Sequence, residues 1–387
     1  MPITEQQIAS ALRSIHDPDL HKDIVSLGHV KAIRTLEGNV SIEISTPSPA
    51  KDQLRRAIQE AVAKIPGVEE VLVNFAVPLG SGPLPGAKRP APPQPPAPRG
   101  LPRVQHIVAV GAGKGGVGKS TVSVNLALAL ALSGKKVAIL DGDIYGPSIP
   151  TLTGIAPQPP RVVGDRILPF PLMNPADPHM VLPVMSIGFM VDPQKALIWR
   201  GPMAHGAMKQ MIEQVEWTAG PDSELAGQLP PSLDYLIVDL PPGTGDVSLT
   251  LAQSVPLTGA VIVATPQEVA LADARRAVRM FQQLGVEILG VVENMSYFIC
   301  DHGSSYDIFG RGGAHTMAQE MGLPFLGELP IDTSLRKNSD AGTPFANFSL
   351  ASPSRKPLIA LADKLDQNVA VRLATRPSAK PPRLDIS

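Results

Sequence analysis

One cysteine stands in 387 residues, Cys300, and that scarcity excludes an internal disulfide framework. Charge of either sign is not in excess. There are 34 Lys and Arg against 35 Asp and Glu, net −1, so bulk electrostatics gives no footprint for nucleic acid. No apolar run approaches the roughly 18 residues of a membrane span. The N-terminus has neither the basic nor the apolar region of a secretory signal. A cytoplasmic protein with no membrane or nucleic-acid partner is expected. With 43% hydrophobic and 18% charged residues, the chain should pack well and is long enough for two or three domains.

Proline, by contrast, is plentiful: 42 residues, many of them between positions 78 and 103 among Ala and Gly. That stretch cannot bury a core and reads as an extended, partly polyproline linker. It divides a domain over residues 1–77 from a larger one over 104–372. A Pro-, Lys- and Arg-rich tail, 373–387, is expected to be disordered.

The first domain reads as small and α+β. Thr4 and Gln7 suit a capping box for a helix to about Ile15, which His16-Asp17-Pro18-Asp19 breaks. Residues 40–44 alternate after the turn Glu37-Gly38-Asn39, predicting a hairpin. Residues 51–65 place Leu54, Ala57, Ile58, Ala61, Val62 and Ile65 on one helical face. Pro66-Gly67 ends it, and 68–75 reads as a strand.

In the larger domain, six apolar runs at 107–110, 137–140, 235–240, 260–264, 288–292 and 325–329 alternate with helical patterns. Near-continuous apolar strands joined by helices predict a mostly parallel sheet flanked by helices, an α/β fold. Its ligand should sit at the carboxyl ends of the strands.

The decisive stretch follows the first run. Gly111-Ala112-Gly113-Lys114-Gly115-Gly116-Val117-Gly118-Lys119-Ser120-Thr121 contains G-x-x-x-x-G-K-[ST] between a predicted strand and a helix over 122–132. Glycines are needed where a loop wraps a polyphosphate and turns its own N–H groups inward. Residues Gly113 to Thr121 should therefore hold ATP. Lys119 reaches the β- and γ-phosphates, and Ser120 ligates Mg²⁺. After the 235–240 run come Asp239-Leu240-Pro241-Pro242-Gly243-Thr244-Gly245-Asp246. A strand-terminal aspartate with a Gly-rich turn suits Asp239 in the Mg²⁺ shell and a loop sensing the γ-phosphate. Asp246 suits the cap of the next helix. Asp141-Gly142-Asp143 ends the second run, where a carboxylate can bind Mg²⁺ through water or orient the attacking water.

The full K-G-G-V-G-K-S-T resembles the deviant phosphate loop of the MinD/ParA/Mrp ATPases. D-x-P-P-G-T-G-D, Met185-Ser186-Ile187-Gly188-Phe189 and Ile198-Trp199-Arg200-Gly201-Pro202-Met203 resemble the Mrp/ApbC branch in particular. The resemblance implies a homodimer in which Lys114 reaches the partner subunit's nucleotide. It implies that Asp143, the second acid of this pair, helps place the hydrolytic water; Asp141 is left between a structural loop cap and a functional role. It implies that Asn294, at a strand end, hydrogen-bonds adenine, with 330–332 lining the base pocket. Arg200 is left between touching nucleotide or partner and bracing a loop. The stretch 217–234 is longer than such proteins usually have and is expected to be a surface-loop insertion. His16 to Leu20, Asp23 to Gly28 and Thr46-Pro47 resemble the N-terminal domain of the same branch. There a cysteine often stands where Ser48-Pro49-Ala50 stands here, so a docking or dimer-supporting role is expected.

The branch also carries a C-x-x-C loop. Two such pairs, one per subunit, would bridge an iron–sulfur cluster with the usual four thiolates. In Cys300-Asp301-His302-Gly303 the second cysteine is replaced by Gly303. Three readings stay open. Two Cys300 thiolates hold a cluster with help from His302 or a small thiol; cluster transfer is weakened and the chain serves another assembly protein; or Cys300 is inert. The expected function is thus a slow, Mg²⁺-dependent ATPase that carries iron–sulfur clusters to apoproteins together with assembly factors. The alternatives are a positioning ATPase like MinD or ParA, or a cluster-free regulatory module using ATP as a conformational ligand. The first of these would need a basic amphipathic C-terminal helix or a basic DNA-binding face.

Overall fold

A computed structural model describes residues 5–17, 22–36, 39–46, 51–68, 70–75, 101–190, 201–220, 223–243, 246–300 and 302–375. Several readings fall outside these: the Thr4 cap, Ser48-Pro49-Ala50, most of the linker, Arg200, Thr244-Gly245, Asp301 and the tail from residue 376. The chain divides into two compact units, residues 1–92 and 93–387.

In the first unit, α1 (Glu5–Leu12) and α2 (Lys51–Val62) accompany a sheet of β1 (Val30–Leu36), β2 (Asn39–Ile44) and β3 (Glu70–Phe75), in the order β1-β2-β3. The expected β1–β2 hairpin is antiparallel, and β3 runs parallel to β2. Ile8 and Leu12 of α1, Ile42 and Ile44 of β2, and Leu54, Ile58 and Val62 of α2 form its core. The alternation in β2 turns every second residue inward, as period 2 requires.

The second unit begins with β4 (Val104–Gly111), α3 (Lys119–Leu132), β5 (Val137–Asp141) and α4 (Ile149–Thr153). A short hairpin of β6 (Val162–Val163) and β7 (Arg166–Ile167) comes before β8 (Phe170–Asn174) and β9 (Asp177–Ser186). Then follow α5 (Gly201–Gln214), β10 (Leu233–Asp239), α6 (Asp246–Ser254), β11 (Gly259–Ala264), α7 (Glu268–Gln283) and β12 (Ile288–Glu293). The chain closes with β13 (Phe298–Ile299), β14 (Ser305–Tyr306), α8 (Gly313–Glu320), β15 (Phe325–Glu328), α9 (Thr333–Asp340) and α10 (Arg355–Thr375). Its large sheet has the order β15-β12-β11-β4-β10-β5-β9-β8. Every pairing is parallel except β8 with β9. All six expected strands are present, and β5, β11 and β12 are buried at every position.

Two features depart from the sequence reading. The edge hairpin β8–β9 was not foreseen, because Pro171, Pro178 and Pro183 interrupt its runs. Pro171 lies on the edge strand, and Pro183 precedes the stretch from Val184 that pairs with β5, where a missing N–H is tolerated. The 217–234 stretch is packed rather than merely superficial. Trp217, Thr218 and Ala219 are buried, and Ala219 and Leu225 pack with Leu168. The last helix, α10, runs to Thr375.

Candidate functional site

β4 occupies the middle of the sheet, with β11 and β10 on either side, so the loop leaving its carboxyl end emerges between two neighbouring strand ends. The loop is closely held from both sides. A Cβ on Gly113 would lie 2.1 Å from the carbonyl carbon of Asp273 in α7, and one on Gly118 would lie 2.2 Å from Asn294 Nδ2. Gly116 and Gly118 have φ of +82° and +81°, the left-handed region that glycine enters without steric cost. The Ala112 carbonyl accepts from Gly243 N–H at 2.9 Å, tying the loop after β10 to the phosphate loop.

Beneath the loop lies a buried charge cluster. Lys119 opens α3 and is only 6% exposed. Its Nζ is 2.8 Å from Asp239 Oδ2, 3.8 Å from Asp143 Oδ2, and 3.1 Å from Ser120 Oγ. The other Asp239 oxygen accepts the Ser123 hydroxyl at 2.6 Å. Ser123 is a functional neighbour the sequence reading missed; its signal is its position one helical turn after Lys119. Among the described residues, only the Lys119 ammonium reaches the buried Asp239 Oδ2.

The two acids of Asp141-Gly142-Asp143 have separate work. Asp141 is fully buried and is the loop cap. It accepts from the N–H groups of Asp143 at 3.1 Å and Ile149 at 3.3 Å, and from the Ser186 hydroxyl at 2.8 Å. Burial, then the charge of Asp239, pushes its carboxyl up to about 8. Asp143 is also raised, by burial, with Lys119 and the Gly146 N–H opposing. Its Oδ1 accepts that N–H at 3.2 Å, and its Oδ2 faces Lys119.

Of the remaining expected residues, Lys114 lies in the loop and Asn294 against it, while Asp332 and Cys300 belong to other elements. Lys114 is half-buried with no ion pair to a described residue. Asn294 is 8% exposed, and its Nδ2 donates to the Val117 carbonyl at 2.9 Å. Asp332 is taken up in capping α9: it accepts from the N–H groups of Ser334 and Leu335 and the hydroxyls of Ser334 and Ser354. Cys300 is half-buried at the β13–β14 turn, its N–H donating to Ser304 at 3.0 Å while its carbonyl accepts from Gly303 at 2.8 Å. Gly303 has φ +81°, and His302 is exposed. Among the described residues, no three His, Cys, Asp or Glu side chains are grouped to hold a metal.

Residues 103–366 match the family of NUBPL iron-transfer P-loop NTPases. The chain belongs to this family. Residues 5–73 separately match the iron–sulfur cluster assembly protein family. The iron–sulfur cluster carrier protein of Synechocystis is 40% identical over 95% of this chain and 99% of its own length. That of Deinococcus radiodurans is 42% identical over 94% and 95%. A nucleotide-binding protein of Archaeoglobus fulgidus, solved with ADP, superposes with a TM-score of 0.53 at 37% identity, over 66% of this chain and 91% of that one. The NUBPL-type NTPase described here has its glycine loop, its strand-end acids and Lys119 together at one end of a mostly parallel sheet.

Proposed function

We propose that this NTPase hydrolyses ATP slowly with Mg²⁺, acts as a cytoplasmic homodimer, and carries iron–sulfur clusters to apoproteins in concert with assembly factors. The observation that carries the ATP reading is the Lys119–Asp239 pair beneath the glycine loop. To serve a triphosphate, Lys119 must leave Asp239 for the phosphate oxygens, and that same movement frees Asp239 Oδ2. The oxygens of Ser120 and Asp239 are the hard donors Mg²⁺ takes, so the residues present fit that ion. When bound, it would neutralise charge on the β- and γ-phosphate oxygens. The loop amides and Lys119 stabilise the charge of the transferring phosphoryl group. Asp143, its carboxyl raised by burial, orients the attacking water and holds its proton. Asn294 keeps the Val117 carbonyl with its NH₂ group and turns its Oδ1 to the amino group of adenine.

Dimer formation draws support from the distribution of exposed apolar side chains. Tyr145 follows β5, Val269 follows β11, and Ile299, Ile308 and Phe309 follow β12. All follow carboxyl ends of strands in the mostly parallel sheet, as does Lys114 after β4, which would reach the partner subunit's nucleotide. The cargo reading is supported by the relatives' names and by the cysteine hairpin after β12. One copy supplies one thiolate, so a cluster at this hairpin needs a second copy and further ligands.

Lys119→Ala tests the proposal directly. Turnover should fall by about 10²-fold or more, and ATP binding measured by calorimetry should weaken in parallel. Unchanged affinity and turnover would remove the mechanism.

A further inference from the structure

β12 ends in two residues with different attachments. The Asn294 amide reaches the phosphate loop, donating to the Val117 carbonyl at 2.9 Å beside Gly118. The Glu293 carboxylate, fully buried, accepts from the N–H groups of Gly312 at 2.7 Å and Ala314 at 2.6 Å, and from the Ser296 hydroxyl at 2.5 Å. The chain between these anchors is the excursion that carries β13, Cys300 and β14. It leaves from Asn294 and returns at Gly312, so both its ends are fixed to one dipeptide.

Between Asn294 and the hairpin sits Met295, at φ +56° in the left-handed region. A non-glycine residue stays there only where its surroundings over-determine it. The following backbone is pinned as well. Ser296 N–H donates to Leu329 at 2.9 Å, and Tyr297 accepts from Ile331 N–H at 2.7 Å. Arg311, at the returning end, lies 4.6 Å over the Tyr297 ring and is paired to Glu328. Little slack remains between the phosphate loop and β13.

We propose that Glu293 and Asn294 couple the two regions, so that nucleotide in the phosphate loop changes the exposure of the Cys300 hairpin. The claim rests on the ATP-dependent carrier reading above and adds its regulation: ATP binding moves the phosphate loop, the Val117–Asn294 contact carries that movement to Asn294, Met295 transmits the shift, and Glu293 makes both ends of the excursion move together. Two discrete arrangements of one element, biased by ligand, are the physical requirement for such coupling.

The chain's sole thiol makes the test specific, because alkylation of the whole protein reads this hairpin alone. Iodoacetamide rates are measured on the full chain without nucleotide, with Mg-ADP and with Mg-ATP, and binding of a fluorescent ATP analogue is followed on the same samples. Wild type should change rate by about fivefold or more between nucleotide-free and ATP-bound states, the low end of ordinary coupling. Met295→Gly keeps the left-handed backbone without a constraining side chain, and its response should fall below about twofold while ATP still binds. If that variant does not fold, Ser296→Ala, which removes only the hydroxyl contact to Glu293, should show the same loss. Nucleotide binding with a flat wild-type alkylation rate overturns the coupling and leaves the ATPase reading standing. A full response in Met295→Gly also overturns it, since protection would then come from apposition of two copies. Absence of ATP binding in wild type overturns both.

Discussion

A lysine ending a glycine loop is expected to face phosphate, yet Lys119 lies 2.8 Å from Asp239. Without a triphosphate, a buried ammonium takes the nearest carboxylate, since an unpaired buried charge is far more costly than a pair. Asp141 is a second buried acid, and among the described residues no cation is paired with it. Its carboxyl is pushed up to about 8 from 3.8, first by burial and then by Asp239. Between those values the folded chain holds a proton that the unfolded chain has released. The associated stability is full below about pH 4 and is lost as pH rises through about 8, by up to about 1.4 kcal/mol per pH unit inside the window. Urea unfolding at pH 6 and pH 9 should therefore show lower stability at pH 9, with a smaller drop in Asp141→Asn. An equal drop in the variant would assign the pH dependence to another group. Spacing alone did not separate Asp141 from Asp143, and their roles came from the family resemblance; in the structure Asp141 is spent on two N–H groups and the Ser186 hydroxyl, whereas Asp143 keeps one oxygen facing Lys119. Glu293 was likewise unreadable, since its partners Gly312 and Ala314 lie far along the chain.

Among the elements, the unit of strand, glycine loop and helix is wedged between α7 and β12. Gly113 meets the backbone of α7, and no side-chain rotation relieves a contact with a carbonyl carbon. Gly113→Ala should shift α7 away from the loop and cost about 1–3 kcal/mol, seen as a lower midpoint in chemical denaturation together with weaker ATP binding. An unchanged midpoint would mean that α7 is free to move. The parallel strands were legible because strands buried on both faces are unbroken apolar runs. The β8–β9 hairpin was not, because its prolines resemble loop punctuation and only pairing geometry reveals that they sit where no donor is required. The packed 217–234 segment escaped notice for a related reason: Trp217 and Leu225 are too widely spaced to show a period, and their burial comes from contacts with residues distant in sequence.

At the scale of the whole molecule, the phosphate end of the sheet and the cysteine hairpin are both products of β4, β10 and β12, while residues 1–92 form a separate unit with its own core. A dimer of this chain brings two thiolates, and the usual four-thiolate requirement leaves the remaining ligands to other donors. After anaerobic reconstitution, wild type should hold iron and sulfide in stoichiometric amounts per dimer, and Cys300→Ala should hold none. If neither binds stoichiometric iron, the carrier role should be withdrawn for this chain while the ATPase remains.

The Lys119–Asp239 pair also bears on how ATP arrives. With Lys119 already matched by a carboxylate, Lys114 is the one loop lysine left to cast a positive field into solution, and approach should gain less from long-range attraction than two open lysines would give. Capture would then be gated by how often the Lys119 ammonium lets go of its carboxylate, and added salt, which slows encounters guided by charge, should lower the association rate only modestly.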